Sequence, residues 1–129
     1  MAHIQSKLGD LANANVELVA VSADLPDAAS AYVTAQGLTF PIAHSLQEKQ
    51  IRELGLYVSN PTHYIPQTHK FSEPAYFFLT PDNIIKYVAI SSHPMGGRVN
   101  VDHLLAGLNW SLEKAKAEPE FASVVWGSA

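Results

Sequence analysis

The side chains able to do chemistry gather in the stretch Phe71-Ser72-Glu73-Pro74-Ala75-Tyr76-Phe77-Phe78-Leu79-Thr80-Pro81-Asp82-Asn83, where a hydroxyl and a carboxylate stand beside a proline that leads into an apolar run. Glu73 has the chemistry of a general acid or base, although an exposed loop carboxylate is the simpler reading. His63 and His69 precede it, with His44 and His93 elsewhere. A loop spacing of this kind is not a ligand signature, and solvent-exposed or packing histidines account for them better, so no metal site is assigned. Pro94-Met95-Gly96-Gly97-Arg98 stands ahead of a helix and offers backbone amides plus Arg98 to an anion. Its spacing is not that of a phosphate loop, and a plain loop and cap is preferred.

Other chemistries are excluded more firmly. The 129 residues include no cysteine, which removes a disulfide framework, a thiolate zinc site and a cysteine nucleophile. Ser22, Asp24 and the histidines come without a Gly-x-Ser-x-Gly elbow, so a serine hydrolase is not indicated. Tyr32, Tyr57, Tyr64, Tyr76 and Tyr87 fit core and loop anchors better than a base-stacking surface. No catalytic residue and no cofactor is assigned.

The whole chain bounds the setting of that stretch. A hydrophobic fraction of 47% and a charged fraction of 16% describe a globular protein, and 129 residues suit one domain, residues 1–129. The net charge of −4 gives no footprint for nucleic acid. No apolar run approaches the roughly 18 residues of a membrane span, and Met1-Ala2-His3-Ile4-Gln5-Ser6-Lys7 lacks the apolar core of a signal peptide. The expectation is a cytoplasmic protein that binds neither nucleic acid nor membrane.

Helix and strand signals alternate along the chain. Ile4, Leu8, Leu11 and Ala12 recur at helical spacing up to Asn13-Ala14-Asn15, where asparagine can end a helix left-handed. Residues 16–22 are nearly continuously apolar and predict a strand covered on both faces. A second helix is expected from an Asp24 cap and Pro26, burying Ala28, Ala29, Tyr32 and Val33 and ending at Gly37. Residues 38–42 read as a short strand, at a sheet edge because Pro41 cannot donate to a ladder. Ser45 is the expected cap of a third helix through Leu46, Ile51 and Leu54, stopped by Gly55.

Residues 57–73, with Pro61 and Pro66, read as a long loop of the kind that often carries a site. Residues 75–80 and 84–91 predict antiparallel strands joined through Pro81-Asp82-Asn83. The strongest helix is capped by Asn100 and carries Val101, Leu104, Leu105, Leu108, Leu112 and Ala115 on one face, expected to pack on the sheet. Residues 117–129 read as an irregular tail anchored by Phe121 and Trp126.

That order of elements, with particular residues, resembles the thioredoxin fold and its peroxiredoxin-like AhpC/TSA (redoxin) branch. The residues are Val19-Ala20-Val21-Ser22-Ala23-Asp24 with Pro26, Gly37-Leu38-Thr39-Phe40-Pro41-Ile42, Leu54-Gly55-Leu56-Tyr57-Val58, Glu73-Pro74-Ala75-Tyr76-Phe77-Phe78-Leu79 with Pro81-Asp82, and Asp102-His103-Leu104-Leu105-Ala106-Gly107-Leu108. The resemblance implies an α/β fold, thioredoxin-like and incomplete at the N-terminus, with a mixed sheet flanked by helices. It implies thiol-dependent oxidoreductase or antioxidant chemistry for the family. It also makes Ser72, Glu73, Pro74 and Ala75 the crevice beside the reactive sulfur, with a cis bond at Glu73-Pro74, where an X–Pro bond is otherwise cis in only about 5–6% of cases. Typical peroxiredoxins carry an arginine near the start of this strand. Here the four crevice residues occupy that neighbourhood, a pattern closer to thioredoxin-type oxidoreductases.

In the family, a strand and the cysteine turn come directly before the helix matched by residues 4–14. That strand lies centrally, between the strands matched here by residues 16–22 and 75–80. Three outcomes are expected of such a gap: direct pairing of the flanking strands, a strand from another subunit, or a natural polypeptide that begins upstream. A homodimer satisfies open edges economically. The two functional readings are therefore a redoxin whose chain is inactive on its own, and a non-catalytic module for a protein partner or self-association.

Overall fold

In the computed structural model, residues 1–65, 67–96, 98–124 and 126–127 are described. The first helical stretch is two short helices, α1 (Ala2–Gln5) and α2 (Leu8–Asn13), with a turn between them. Asn15, at φ 56°, provides the left-handed residue that ends it. Only Ala20–Val21 of residues 16–22 is strand (β1), paired in parallel with β2 (Ile42–Ala43). The expected two-sided cover is absent, since Val19 and Val21 are 57% and 56% exposed. Val16 and Leu18, earlier in the same run, do pack against the core.

Helix α3 (Pro26–Gln36) begins with proline in its first turn and ends at Gly37 in the left-handed conformation. Its cap position is Leu25 rather than Asp24, whose carboxylate instead accepts the Ser22 hydroxyl at 2.7 Å. Ala29 is the buried member of the expected face, while Ala28 and Tyr32 are exposed. Leu38 and Phe40 are buried ahead of β2, and Pro41 offers its carbonyl to the Ala20 amide at 2.9 Å. A proline that accepts but need not donate suits the edge position.

The third helix is α4 (Glu48–Glu53), with Gln47 at the cap. The Gln50 side chain reaches back to accept the Gln47 amide at 2.9 Å, which satisfies a donor that the helix cannot. Ser45 is not the cap and takes φ 62° two residues before Gln47. Residues 57–73 are not wholly loop, because β3 (Val58–Ser59) and β4 (Phe71–Ser72) pair antiparallel at its ends. Among the tyrosines proposed as anchors, Tyr32, Tyr57, Tyr64 and Tyr87 are exposed.

The expected hairpin is β5 (Ala75–Leu79) and β6 (Ile85–Ile90), with a register shift at Phe78/Leu79. Asn83 takes φ 63° in the turn, and Thr80 donates its amide to the Ile84 carbonyl at 2.9 Å. Helix α5 (Val101–Ala117) is capped as expected, the Asn100 side chain accepting the His103 amide at 3.1 Å. Val101 and Leu105 bury against Leu11 and Ala14, so the buried residues of α5 meet α2 and the segment entering β1 rather than the sheet. Lys7 bridges the same helices, its ammonium 2.5 Å from Asp102. That hydrogen-bonded pair raises the Lys7 pKa and lowers that of Asp102. The tail forms a 3-10 helix, Pro119–Ser123, instead of staying irregular.

The sheet is in separate pieces, and backbone phase shows which edges are open. Ser91 donates its amide to the Pro74 carbonyl, so residues 74, 76 and 78 turn their backbone groups to β6, and Ala75 and Phe77 turn theirs the other way. Ala20 and Ser22 donate toward the β2 segment, so Val19 and Val21 face away from it. Among the described residues β1 pairs only with β2 and β5 only with β6. The flanking strands therefore do not close on each other. Exposure to water, at Val19 and Val21 above all, is what keeps this gap from carrying the full cost of buried unpaired groups. No helix among the described residues is long and apolar enough to cross a membrane.

Candidate functional site around Glu73

The β3–β4 pair brings together residues that are distant in sequence. Its register sets Val58 opposite Ser72 and Ser59 opposite Phe71, which carries Ser59 to the Glu73 carboxylate. The Ser59 hydroxyl donates a short hydrogen bond to Glu73 Oε1. The Glu73 amide donates to the Tyr57 carbonyl at 3.0 Å, and Pro74 continues into the ladder through Ser91. With backbone partners on both sides, the chain passes from β4 into β5 through a trans Glu73–Pro74 bond. The expected cis geometry is not present.

The larger correction concerns Glu73 itself. It is 3% exposed, where a solvated loop carboxylate was expected, and Oε2 has no hydrogen-bond partner among the described residues. Ser72, Pro74 and Ala75 are half-buried around it, and the Ser72 hydroxyl donates to the Glu73 carbonyl at 2.8 Å. The four crevice residues are thus together, as contiguous residues must be. What they enclose is a buried carboxylate with one hydroxyl donor and one free acceptor. It has no atom able to do the work of a thiolate toward peroxide.

Ser59 was not singled out in the sequence, and no local pattern marks it, because it stands 14 residues from Glu73. A direct consequence is testable. Ser59→Ala strips Glu73 of its one side-chain donor and is expected to cost about 1–3 kcal/mol, with Ser59→Thr recovering most of it. Urea unfolding measures both, and an alanine variant as stable as the parent contradicts the assignment.

The remaining candidates stay apart. His44 Nδ1 lies 3.0 Å from the Ser45 hydroxyl, the His63 ring lies 3.7 Å from that of Tyr64 at a tilt of 41°, and His93 Nδ1 accepts the Met95 amide at 3.1 Å. His69 Nε2 is buried without a hydrogen-bond partner among the described residues. Among the described residues no group of three or more His, Cys, Asp or Glu could hold a metal. Arg98 donates to the Pro94 carbonyl at 3.4 Å within its own loop, and Gly97 of that loop lies outside the described residues. Glu48 on α4 pairs with Lys70 at 2.8 Å and Arg52 at 2.7 Å, which holds its carboxyl below the usual range, Lys70 contributing most.

Comparison with known proteins bears on this geometry. The model of the AhpC/TSA family matches residues 1–88. Two solved structures share the fold. A peroxiredoxin 6 mutant from Arenicola marina is 21% identical with a TM-score of 0.67, covering 91% of this chain and 54% of its own. The mitochondrial 2-Cys peroxiredoxin from Plasmodium falciparum is 17% identical with a TM-score of 0.67, covering 92% of this chain and 68% of its own. The chain therefore spans about half the length of the first and two thirds of the second. No curated protein matches it by sequence. The order of elements, the β5–β6 hairpin, the capped α5 and a family match over more than half of the residues lead to one conclusion: this chain belongs to the AhpC/TSA family, with a thioredoxin-like α/β fold and no cysteine in its 129 residues.

Proposed function

We propose that this chain is a redoxin-family module that does no thiol chemistry on its own and instead holds another polypeptide, in the first place a second copy of itself. The observation that supports this reading is the divided sheet, in which β1 and β5 each present an edge with no strand on it among the described residues. Backbone donors and acceptors in an extended row are a template for another chain. Ser72, Glu73, Pro74 and Ala75 stand at the start of the β5 edge. They are the proposed partner crevice. A homodimer that joins such edges uses the same surface twice.

The family's thiol-dependent oxidoreductase role requires a sulfur nucleophile that these residues do not supply. Serine and tyrosine hydroxyls cannot replace a low-pKa thiolate at neutral pH. Two measurements test the reading. With hydrogen peroxide and dithiothreitol, the purified chain is expected to show no catalytic turnover above buffer. Light scattering over rising concentration is expected to show twice the monomer mass. Sustained turnover sinks the first half, and a particle that stays monomeric throughout sinks the second.

A further inference from the structure

Helix α5 has more apolar surface than the core uses. Beside the buried Val101 and Leu105 runs a second stripe, Leu104, Leu108 and Ala115, which faces the β5–β6 hairpin across an open groove of about 570 Å³. Phe78 and Tyr87, cross-strand partners on one face of the hairpin, form the opposite wall. The tail supplies an aromatic end. Phe121 lies edge-on to Trp110 at 5.4 Å, and Trp126 lies 6.3 Å from Phe121. From His103 to Ala115 the helix rises about 18 Å, twelve residues at roughly 1.5 Å each.

The charge along this groove is uneven. Besides Tyr87, its ionisable side chains are Lys86 and His103, and none of its described lining residues is a carboxylate, in a chain of net charge −4. Asp82 accepts its hydrogen bond from Thr80 at 2.5 Å, which with a smaller contribution from the charge of Lys86 holds its carboxyl below the usual range. A long apolar trough with a lysine ammonium, an imidazole and no carboxylate selects a linear amphiphile with a negative head.

We propose that this groove binds one long-chain fatty carboxylate, its acyl chain lying along Leu104, Leu108 and Ala115 and its head directed to Lys86 and His103. The site is separate from Glu73 and from the sheet edges, so it stands whether or not the chain self-associates. Its size and mostly apolar lining are those of a small-molecule site.

The chain has two tryptophans, Trp110 and Trp126, and both line the groove, so its own fluorescence reports occupancy. Titration of the full chain with palmitate is expected to give a saturable change at one ligand per chain. Hexadecanol and hexadecyltrimethylammonium are expected to bind at least about tenfold more weakly, and Lys86→Glu to weaken palmitate about tenfold. Gly107 lines the groove, and a Cβ added there meets nothing within 4 Å. Gly107→Leu therefore fills the trough while improving helix propensity, and it is expected to abolish binding with the thermal midpoint undiminished. The proposal is overturned if palmitate gives no saturable change, if the cationic amphiphile binds as well, or if the folded Gly107→Leu or the Lys86→Glu chain binds like the parent. A response confined to phosphatidylglycerol vesicles, with none to free palmitate, overturns it in favour of a lipid surface.

Discussion

Tyr76→Pro is expected to unfold this protein, while Ala75→Pro, one residue earlier, leaves it folded. The difference follows from the phase of β5. Tyr76 pairs with Ala89 in the hydrogen-bonded phase set by the Ser91 amide and the Pro74 carbonyl, so its own amide belongs to the β5–β6 ladder. Proline there removes that donor and forces its ring into the strand interior, at a cost of roughly 3 kcal/mol or more. That is a large part of the 5–15 kcal/mol that typically holds a domain together. The Ala75 amide points to the open edge, and its side chain is small, so proline at 75 removes a donor that no strand among the described residues uses.

Amide exchange separates the same two classes without a mutation. In dilute solution Ala75 and Phe77 are expected to exchange fast, and Tyr76 and Phe78 slowly. If association uses this edge, the fast pair becomes protected as concentration rises, and Ala75→Pro lowers the apparent dimer fraction. Equal destabilisation by the two prolines, or slow exchange at 75 and 77 in the monomer, means that β5 already has a neighbour on that side. Either result removes the basis for self-association through β5.

Legibility from the sequence followed the range of the interactions. The Pro81-Asp82-Asn83 turn, the Asn100 cap and the Gly37 and Gly55 stops are set by residues within a few positions of each other, and all are present. Family membership was legible for a similar reason, because it rests on the order of such local segments. Burial was not. The run 16–22 has the composition of a covered strand, yet cover is a property of neighbours, and β1 has one on a single side. Ser45 has a better capping side chain than Gln47, but the Gln50 amide reached Gln47 and decided the start of α4. At Ser72 to Ala75 the sequence does not disclose the burial of Glu73. Glu73 looks like a loop carboxylate until a hairpin closing over residues 58–72 buries it and delivers Ser59.

That hairpin depends on one side chain more than any other, and Ile51→Ala is expected to cost about 2–5 kcal/mol. Ile51 is 0% exposed, the one large side chain among the described residues fully removed from water, and it is the buried residue of α4. Helix α4 packs against both β3 and β4. The polar links between α4 and its surroundings, Glu48 with Lys70 and Arg52, lie at the surface, where screening and side-chain entropy leave little net gain. Packing therefore outweighs them, and Lys70→Ala is expected to leave stability nearly unchanged. Ile51→Val, which removes one methyl group, is expected to cost only about 0.5–1.5 kcal/mol. Urea unfolding of the three variants orders the effects, and an Ile51→Ala loss no greater than that of Lys70→Ala places the anchor elsewhere. Because α4 supports the strands that carry Ser59 to Glu73, the losses from Ile51→Ala and Ser59→Ala are expected to fall short of additivity by 0.5 kcal/mol or more, roughly the range for coupled neighbours. Once the helix has lost its anchor, the hairpin no longer holds the hydroxyl against the carboxylate, and little of that bond remains for the second mutation to remove.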